Sequence, residues 1–204
     1  MTVQAQANAL LLVADMREPL GITGTAQDDL IQELINRASD ACETYCQRPL
    51  KQQSFSNLRY PGQRGTNLRP HATPIDVLSS IAVTLDGTAL TVWRKESDGD
   101  PALKDVIVGA DVPGEASYLY RACGWLGATP WPIKLSFTGG YDVIPGAVRE
   151  AATLTVQSFH RHAKNLDPYQ SYPASVSGGT VTMRTDTIPR TVYDLLDAYR
   201  WRSV

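Results

Sequence analysis

The sequence predicts an α+β protein: a helical core of two long helices plus short terminal helices, with a β-rich insertion between the long helices. Three observations predict it. Two segments far apart in the chain carry apolar residues at helical spacing. The stretch between them carries runs of β-branched and aromatic residues, broken by glycine and proline. Apolar residues make up 43% of the 204 and charged residues 20%, a composition that buries a core without disulfides or metal.

The elements follow in chain order. A short helical turn is expected at 14–18, before Pro19, with Gly21 and Gly24 breaking the pattern. The first long helix is expected over 26–46. Thr25 is placed to cap its first turn, and Asp28 suits the positive end of the helix dipole. Leu30, Ile31, Leu34, Ile35, Ala38, Ala41, Cys42 and Tyr45 recur on one side, while Asp29, Glu33, Arg37, Asp40 and Glu43 fall largely on the other. Pro49 ends it, because the residue before a proline is pushed out of the α region.

Residues 80–85 and 90–93 read as strands joined by a tight Asp86-Gly87 turn. The acidic 96–115 stretch reads as a loop with a short strand at 106–108. Further strands are expected at 117–121 and 133–137, closed by Gly139-Gly140. Pro145 opens the second long helix, to about Lys164, with Val148, Ala151, Ala152, Leu154, Thr155, Phe159 and Ala163 on its apolar side. Residues 165–189 are irregular, with one β run at 180–184. A last short helix covers about 190–199, with Val192, Leu195, Leu196 and Tyr199 on one side. The chain thus reads as a single domain, 1–204: helical core 25–48 and 145–165, β-rich insertion 51–140, C-terminal arm 166–204. Two amphipathic helices must each bury a face, and packing Leu34, Ile35 and Ala38 against Leu154 or Phe159 is the simplest way.

Charge and composition exclude several function classes. A net charge of −2 argues against a protein that coats nucleic acid in general. No apolar run approaches the roughly 20 residues of a membrane span. The run from Ala9 to Ala14 is too short, and no Lys or Arg precedes it, so no signal peptide is read and a cytoplasmic product is expected. Three cysteines fit a reducing compartment.

The inventory of chemical groups is sparse. His160 and His162 point about 200° apart on a helix and cannot easily share a metal, so they read as solvated residues near a basic helix end. Cys42 and Cys46 have i,i+4 spacing but lie on the apolar side, which reads as core packing. Cys123 stands beside Gly124 with no nucleophile context. No phosphate loop and no G-x-G-x-x-G occurs, and 175–179 (SVSGG) is not a nucleophile elbow. Trp93, Trp125 and Trp131 suit core or interface packing. No catalytic residue, cofactor or metal is expected.

Three stretches carry a family resemblance. Residues 30–48 (LIQELINRASDACETYCQR), 133–149 (IKLSFTGGYDVIPGAVR) and 188–200 (IPRTVYDLLDAYR) are similar, in that order, to segments of the phage head–tail connector (adaptor) family often called gp6-like. The resemblance implies a structural virion protein. It implies a dodecameric homo-oligomeric ring in the virion neck, made in the host cytoplasm, with the portal protein on one face and a stopper or tail-completion protein on the other. DNA would pass through its lumen without being read. Two other classes stay open: a different virion neck or tail-completion protein, and a small enzyme with no recognisable motif.

Two contact surfaces are expected. Residues 185–204 would leave the core and dock on the portal or a neighbouring subunit, through Leu195, Leu196, Tyr199, Arg200 and Trp201, whose apolar members need a partner; the competing reading is that the segment folds back on its own core. Between Gln47 and Pro70 lie Arg48, Lys51, Arg59, Arg64 and Arg69 and no acid; between Glu96 and Glu115 lie six acids against Lys104. An inter-subunit contact of Arg59 and Arg64 with Asp98, Asp100 and Asp105 would steer assembly. The competing reading is that the two segments meet within one subunit, or that the basic one faces other anions.

Overall fold

A computed structural model describes residues 3–95, 98–112, 115–165 and 188–201. The α+β class holds, with four α-helices and two four-stranded sheets among the described residues, and the β content is larger than the sequence suggests. The chain divides into two compact units: 1–46 with 144–204, and 47–143.

The first unit is helical. Helix α1 (Val13–Leu20) contains Pro19 in its last turn, where the chain ends through Gly21 in the left-handed region. The amides of Gly21 and Ile22 donate to the carbonyls of Glu18 and Arg17, closing the helix end. Helix α2 (Asp28–Cys46) starts later than expected: 25–27 form a turn, in which the Asp28 amide donates to the Thr25 carbonyl. Helix α3 (Gly146–Asn165) packs against α2, and Arg37 of α2 lies over the Phe159 ring at 5.2 Å. Ile31, Leu34, Ile35, Ala38, Cys42, Val148, Ala151, Ala152 and Val156 are buried, whereas Leu154 is only half-buried.

Helix α4 (Arg190–Leu196) corrects an expectation. It does not leave the core: it packs on α2 and α3 of its own unit, with Val192 and Leu196 buried. Tyr193 stacks near Tyr45 with centroids 4.8 Å apart, the Arg200 guanidinium lies over Tyr45, and the Trp201 amide donates to the Cys46 carbonyl at 2.8 Å. The physical reason is local. Tyr45 and Cys46 end α2 with an apolar surface that a seven-residue helix, too short to stand alone, covers. The expected β run at 180–184 and the rest of the arm from 166 to 187 lie outside the described residues.

No sequence signal announces the course of the N-terminal segment. Residues 3–11 run along α2, held by its polar side chains. The Val3 amide donates to Asp29 and the Gln6 amide to Asn36 Oδ1; Asn36 Nδ2 donates back to the Gln4 carbonyl; the Leu10 amide donates to Ser39 Oγ. Asn8 donates to Asp40 and Glu43. Ala9, Leu10 and Leu11 are buried.

The second unit is a pair of sheets. One has the order β1-β8-β3-β4, with β1 (Gln53–Tyr60), β8 (Ile133–Gly139), β3 (Ala82–Leu85) and β4 (Thr88–Leu90). The other has the order β2-β7-β6-β5, with β2 (Asn67–Leu68), β7 (Glu115–Tyr120), β6 (Val106–Val112) and β5 (Val92–Trp93). Both contribute to one apolar cluster that includes Val83, Leu135 and Phe137 from the first sheet and Leu68, Val106 and Leu119 from the second, with Trp125 buried among them. The Asp86-Gly87 turn forms as expected: both residues have positive φ (48° and 86°), the conformation that suits a two-residue hairpin. The run expected at 90–93 splits, since Leu90 ends in one sheet and Val92 begins in the other. The acidic 96–115 stretch is strand from Val106 to Val112, not a loop with a three-residue strand.

Candidate interaction surfaces

Several titratable groups suited to chemistry are buried by the fold, while the free thiol of Cys123 is exposed. Cys42 and Cys46 are buried, and burial pushes the Cys42 thiol up to about 12 against a weaker opposing hydrogen bond from Thr155. His160 corrects the sequence reading: it is 5% exposed and not solvated, because it continues the buried row Ala152, Val156 at four-residue spacing. The side chain of His162 lies outside the described residues. His71 is half-buried, which lowers its pKa, and its Nδ1 lies 3.1 Å from the Tyr60 hydroxyl. Among the described residues no group of three or more His, Cys, Asp or Glu could hold a metal, and no helix is long and apolar enough to cross a membrane.

The acids of 96–115 are mostly engaged inside the chain. Asp98 pairs with Arg94 at 3.1 Å, Asp105 accepts from the Thr91 amide and hydroxyl, and Asp100 accepts from the Ala102 amide at the start of a short 3-10 turn. Asp111 forms a two-pronged pair with Arg69 at 2.6 and 3.0 Å. That pair joins the basic and acidic segments within one chain, the competing reading of the charge pattern. The carboxyls of Asp98, Asp105 and Asp111 are all held below the ordinary aspartate range. For Asp98 and Asp111 the largest cause is the hydrogen bond from the arginine, and for Asp105 the Thr91 amide.

Arg59 and Arg64 differ: both are exposed. Arg59 faces Lys134 directly across the β1–β8 register, and Lys134 is exposed as well. Like charges opposite one another on a sheet are unfavourable. Beside them, 124–132 form a loop pinned by Asp86. Asp86 accepts from the Ala128 amide at 2.7 Å and the Thr129 hydroxyl at 3.0 Å, and its own amide donates to the Pro132 carbonyl. Gly127 allows this packing, since a Cβ there would overlap the Pro132 ring and the Asp86 carboxylate. Arg121 donates to the Gly124 carbonyl, and paired amide–carbonyl bonds between Gln63 and Trp125 bring Arg64 to the loop's start. This fixed loop leaves Leu126 57% and Trp131 55% exposed. The burial of Trp125 beside the exposure of Trp131 has no signal in the sequence.

The terminal residues named from the sequence divide. Leu196 is buried in its own unit, Leu195, Tyr199 and Trp201 are half-buried, and Arg200 is exposed.

Residues 11–84 match the family model described as phage gp6-like head-tail connector protein. No curated protein matches by sequence. Among solved structures, the chain is similar over its whole length, and over 96% of the other chain, to a chain of the neck of an empty gene transfer agent (GTA) particle computed with C6 symmetry, at 16% identity and a TM-score of 0.61. With the same coverage it is similar to a chain of the virion of a native GTA particle (17%, 0.60) and of the neck of a native GTA particle computed with C12 symmetry (16%, 0.59).

Proposed function

We propose that this chain, which matches the gp6-like head–tail connector family, is a structural subunit of a virion neck, forming part of a ring between the portal and the tail or stopper. The single observation that carries the reading is convergence. The family resemblance drawn from 30–48, 133–149 and 188–200 is the family whose model matches 11–84, and the fold as a whole is similar to chains from the necks of phage-like particles. In this reading the helical unit is the connector core and 47–143 is a β-rich insertion into it. The ring is a dodecamer, the portal and a stopper or tail-completion protein bind its two faces, and DNA passes through the lumen unread. The role is structural, and no catalytic residue is assigned.

The portal or a neighbouring subunit would meet the terminal segment where it is still open: Arg200, with the half-buried Leu195, Tyr199 and Trp201, on a helix that Leu196 anchors. The exposed Arg59 and Arg64 would serve a contact between subunits. Electron microscopy of the purified protein, alone and with its portal, tests the reading. Closed rings, on their own or seated on the portal, are expected. A chain that stays monomeric under both conditions overturns it.

A further inference from the structure

The charge pattern along the sequence points to a contact between 47–70 of one subunit and 96–115 of the next. Arg59 and Arg64 are exposed, while the described acids of the second segment are engaged within their own chain. Asp98, Asp105 and Asp111 already serve loops and an ion pair of their own chain, so they offer little to a neighbour. The exposed Arg59, Arg64 and Lys134 keep their charge at the surface, next to the pinned apolar pair Leu126 and Trp131. An exposed tryptophan and leucine on a preorganised loop, rimmed by cations, have the make-up of a protein-binding hot spot: an aromatic anchor that costs little ordering entropy, with charge to orient it. Asp86, which faces the loop, is taken up by the Ala128 and Thr129 donors.

The complement of this surface occurs on the same chain. On α1, Leu12 (69% exposed), Asp15 and Glu18 follow at three-residue spacing and share a side, together with Pro19. Arg17 is not on that side; it is turned to Asp28 in an ion pair. On α2, Leu30 (40% exposed) lies between Asp29 and Glu33. Each helix thus shows an apolar side chain among exposed acids. The two units differ in charge in the same sense. The helical one holds twelve acids against nine bases, the β unit nine acids against ten bases.

We infer that the Leu126–Trp131 loop with Arg59, Arg64 and Lys134 is one half of the contact between copies of this chain, and that its partner is the acidic, leucine-bearing outer side of α1 and α2 on a second copy. The two surfaces are different, so the contact is heterologous: it repeats from copy to copy instead of stopping at a dimer, and closes into a ring when the rotation between copies closes. The inference rests on the connector reading and names the surface that reading leaves open. Clustered cations opposite clustered acids fix the register and speed encounter, while Trp131 supplies the packing.

The test is a charge swap in the full chain, read by mass photometry and negative-stain microscopy at about 0.05 and 0.5 M salt, with and without portal. Thermal unfolding checks that each variant folds. Arg59→Glu with Lys134→Glu is expected to raise the concentration needed for half-assembly by at least about tenfold at low salt. Adding Asp15→Lys and Glu18→Lys is expected to recover most of that loss. Trp131→Ser, a surface change that leaves the core intact, is expected to weaken assembly at both salt concentrations, since packing is not screened. If the wild-type chain forms rings and the folded Arg59/Lys134 and Trp131 variants form them equally well, the inference is wrong and the connector reading stands. The inference is equally wrong if the variants form normal rings but lose portal or duplex DNA binding, because the surface then serves another partner. If reversal disrupts rings but the α1 reversal gives no recovery, the assigned partner side is wrong. If the wild-type chain forms no ring, alone or with portal, the connector reading fails and the inference with it.

Discussion

The helical and β units spend their carboxylates on different parts of the fold. In the β unit most aspartates turn inward to their own chain: Asp76 to the Leu78 amide and the Ser79 hydroxyl, Asp86 to the 128–129 loop, Asp98 to Arg94, Asp105 to Thr91, Asp111 to Arg69 and Ser117. They act as staples that hold connections between short strands. In the helical unit Asp28 pairs with Arg17, and Asp29, Asp40 and Glu43 hold the N-terminal segment, while Asp15, Glu18 and Glu33 stand on the solvent side of regular helices, whose backbone needs no such help. The difference teaches that a run of acids in sequence is not a charged surface. Where strands are short and loops many, the charge is spent on the fold. Where the backbone satisfies itself, more of the charge is left at the surface.

The comparison breaks most directly at the two cores. Trp125 is fully buried, and its Nε1 donates to the Thr66 carbonyl at 2.9 Å. Trp125→Ala is expected to cost about 3–5 kcal/mol. Leu34→Ala in the helical unit is expected to cost about 2–5 kcal/mol. Hydrogen exchange locates each effect. Amides of β6 and β7 should lose protection in the first variant, and those of α2 and α3 in the second. A Trp125 variant that loosened α2 as much as β7 would show that the two cores do not fail separately.

A smaller effect sharpens the helical side. Asn36 is buried and holds three bonds: it accepts from the Gln6 amide and from Gln32 Nε2, and it donates to the Gln4 carbonyl. Replacing it by alanine leaves the Gln6 amide, Gln32 Nε2 and the Gln4 carbonyl unmatched, for about 1–3 kcal/mol. The Gln6 amide should then exchange much faster, while α3 amides away from the segment keep their protection. Unchanged exchange at Gln6 would mean that the segment is held by Ala9, Leu10 and Leu11 alone.

How far the sequence is legible follows from the same contrast. The face of α2 that meets α3 can be read because Leu34, Ile35, Ala38 and Cys42 repeat at helical spacing. The polar row Gln32, Asn36, Ser39 cannot, since nothing in a polar residue says that an extended segment will cover it. Strand β1 is hidden for a geometric reason. A register shift between Phe55 and Leu58, with Asn57 at φ 53°, breaks the alternation that marks a half-buried strand. Val106–Val112 reads mostly as loop because Gly109 and Asp111 are poor strand formers in isolation; pairing with β7 overrides that preference. The interaction surface is half legible. Arg59 and Arg64 stand out by charge, but the pinned loop that exposes Trp131 depends on Asp86, more than forty residues away.

The smallest expected effect separates the units by pH. Asp76, Asp86, Asp98, Asp105 and Asp111 all belong to the β unit and are all held below the ordinary aspartate value, about 4, by hydrogen bonds to their charged forms. A carboxyl whose pKa is lower folded than unfolded stabilises the fold fully above its unfolded value, and that stabilisation is lost as pH falls through the folded one. The β unit should therefore hold its stability from neutral pH down to about 4 and lose it progressively below. These groups lie near the surface, so each contribution is small and screened by salt. Asp111→Asn isolates one of them. It keeps the side-chain shape and can still accept from Arg69, but it no longer titrates. At neutral pH the variant should be slightly less stable than the wild type, within about 1 kcal/mol, and the gap should close as pH falls below about 4. Urea unfolding of the two proteins from about pH 2 to 7 measures it. A gap that stays constant with pH would show that the Arg69–Asp111 pair works by shape and hydrogen bonding alone, and not as a charged staple.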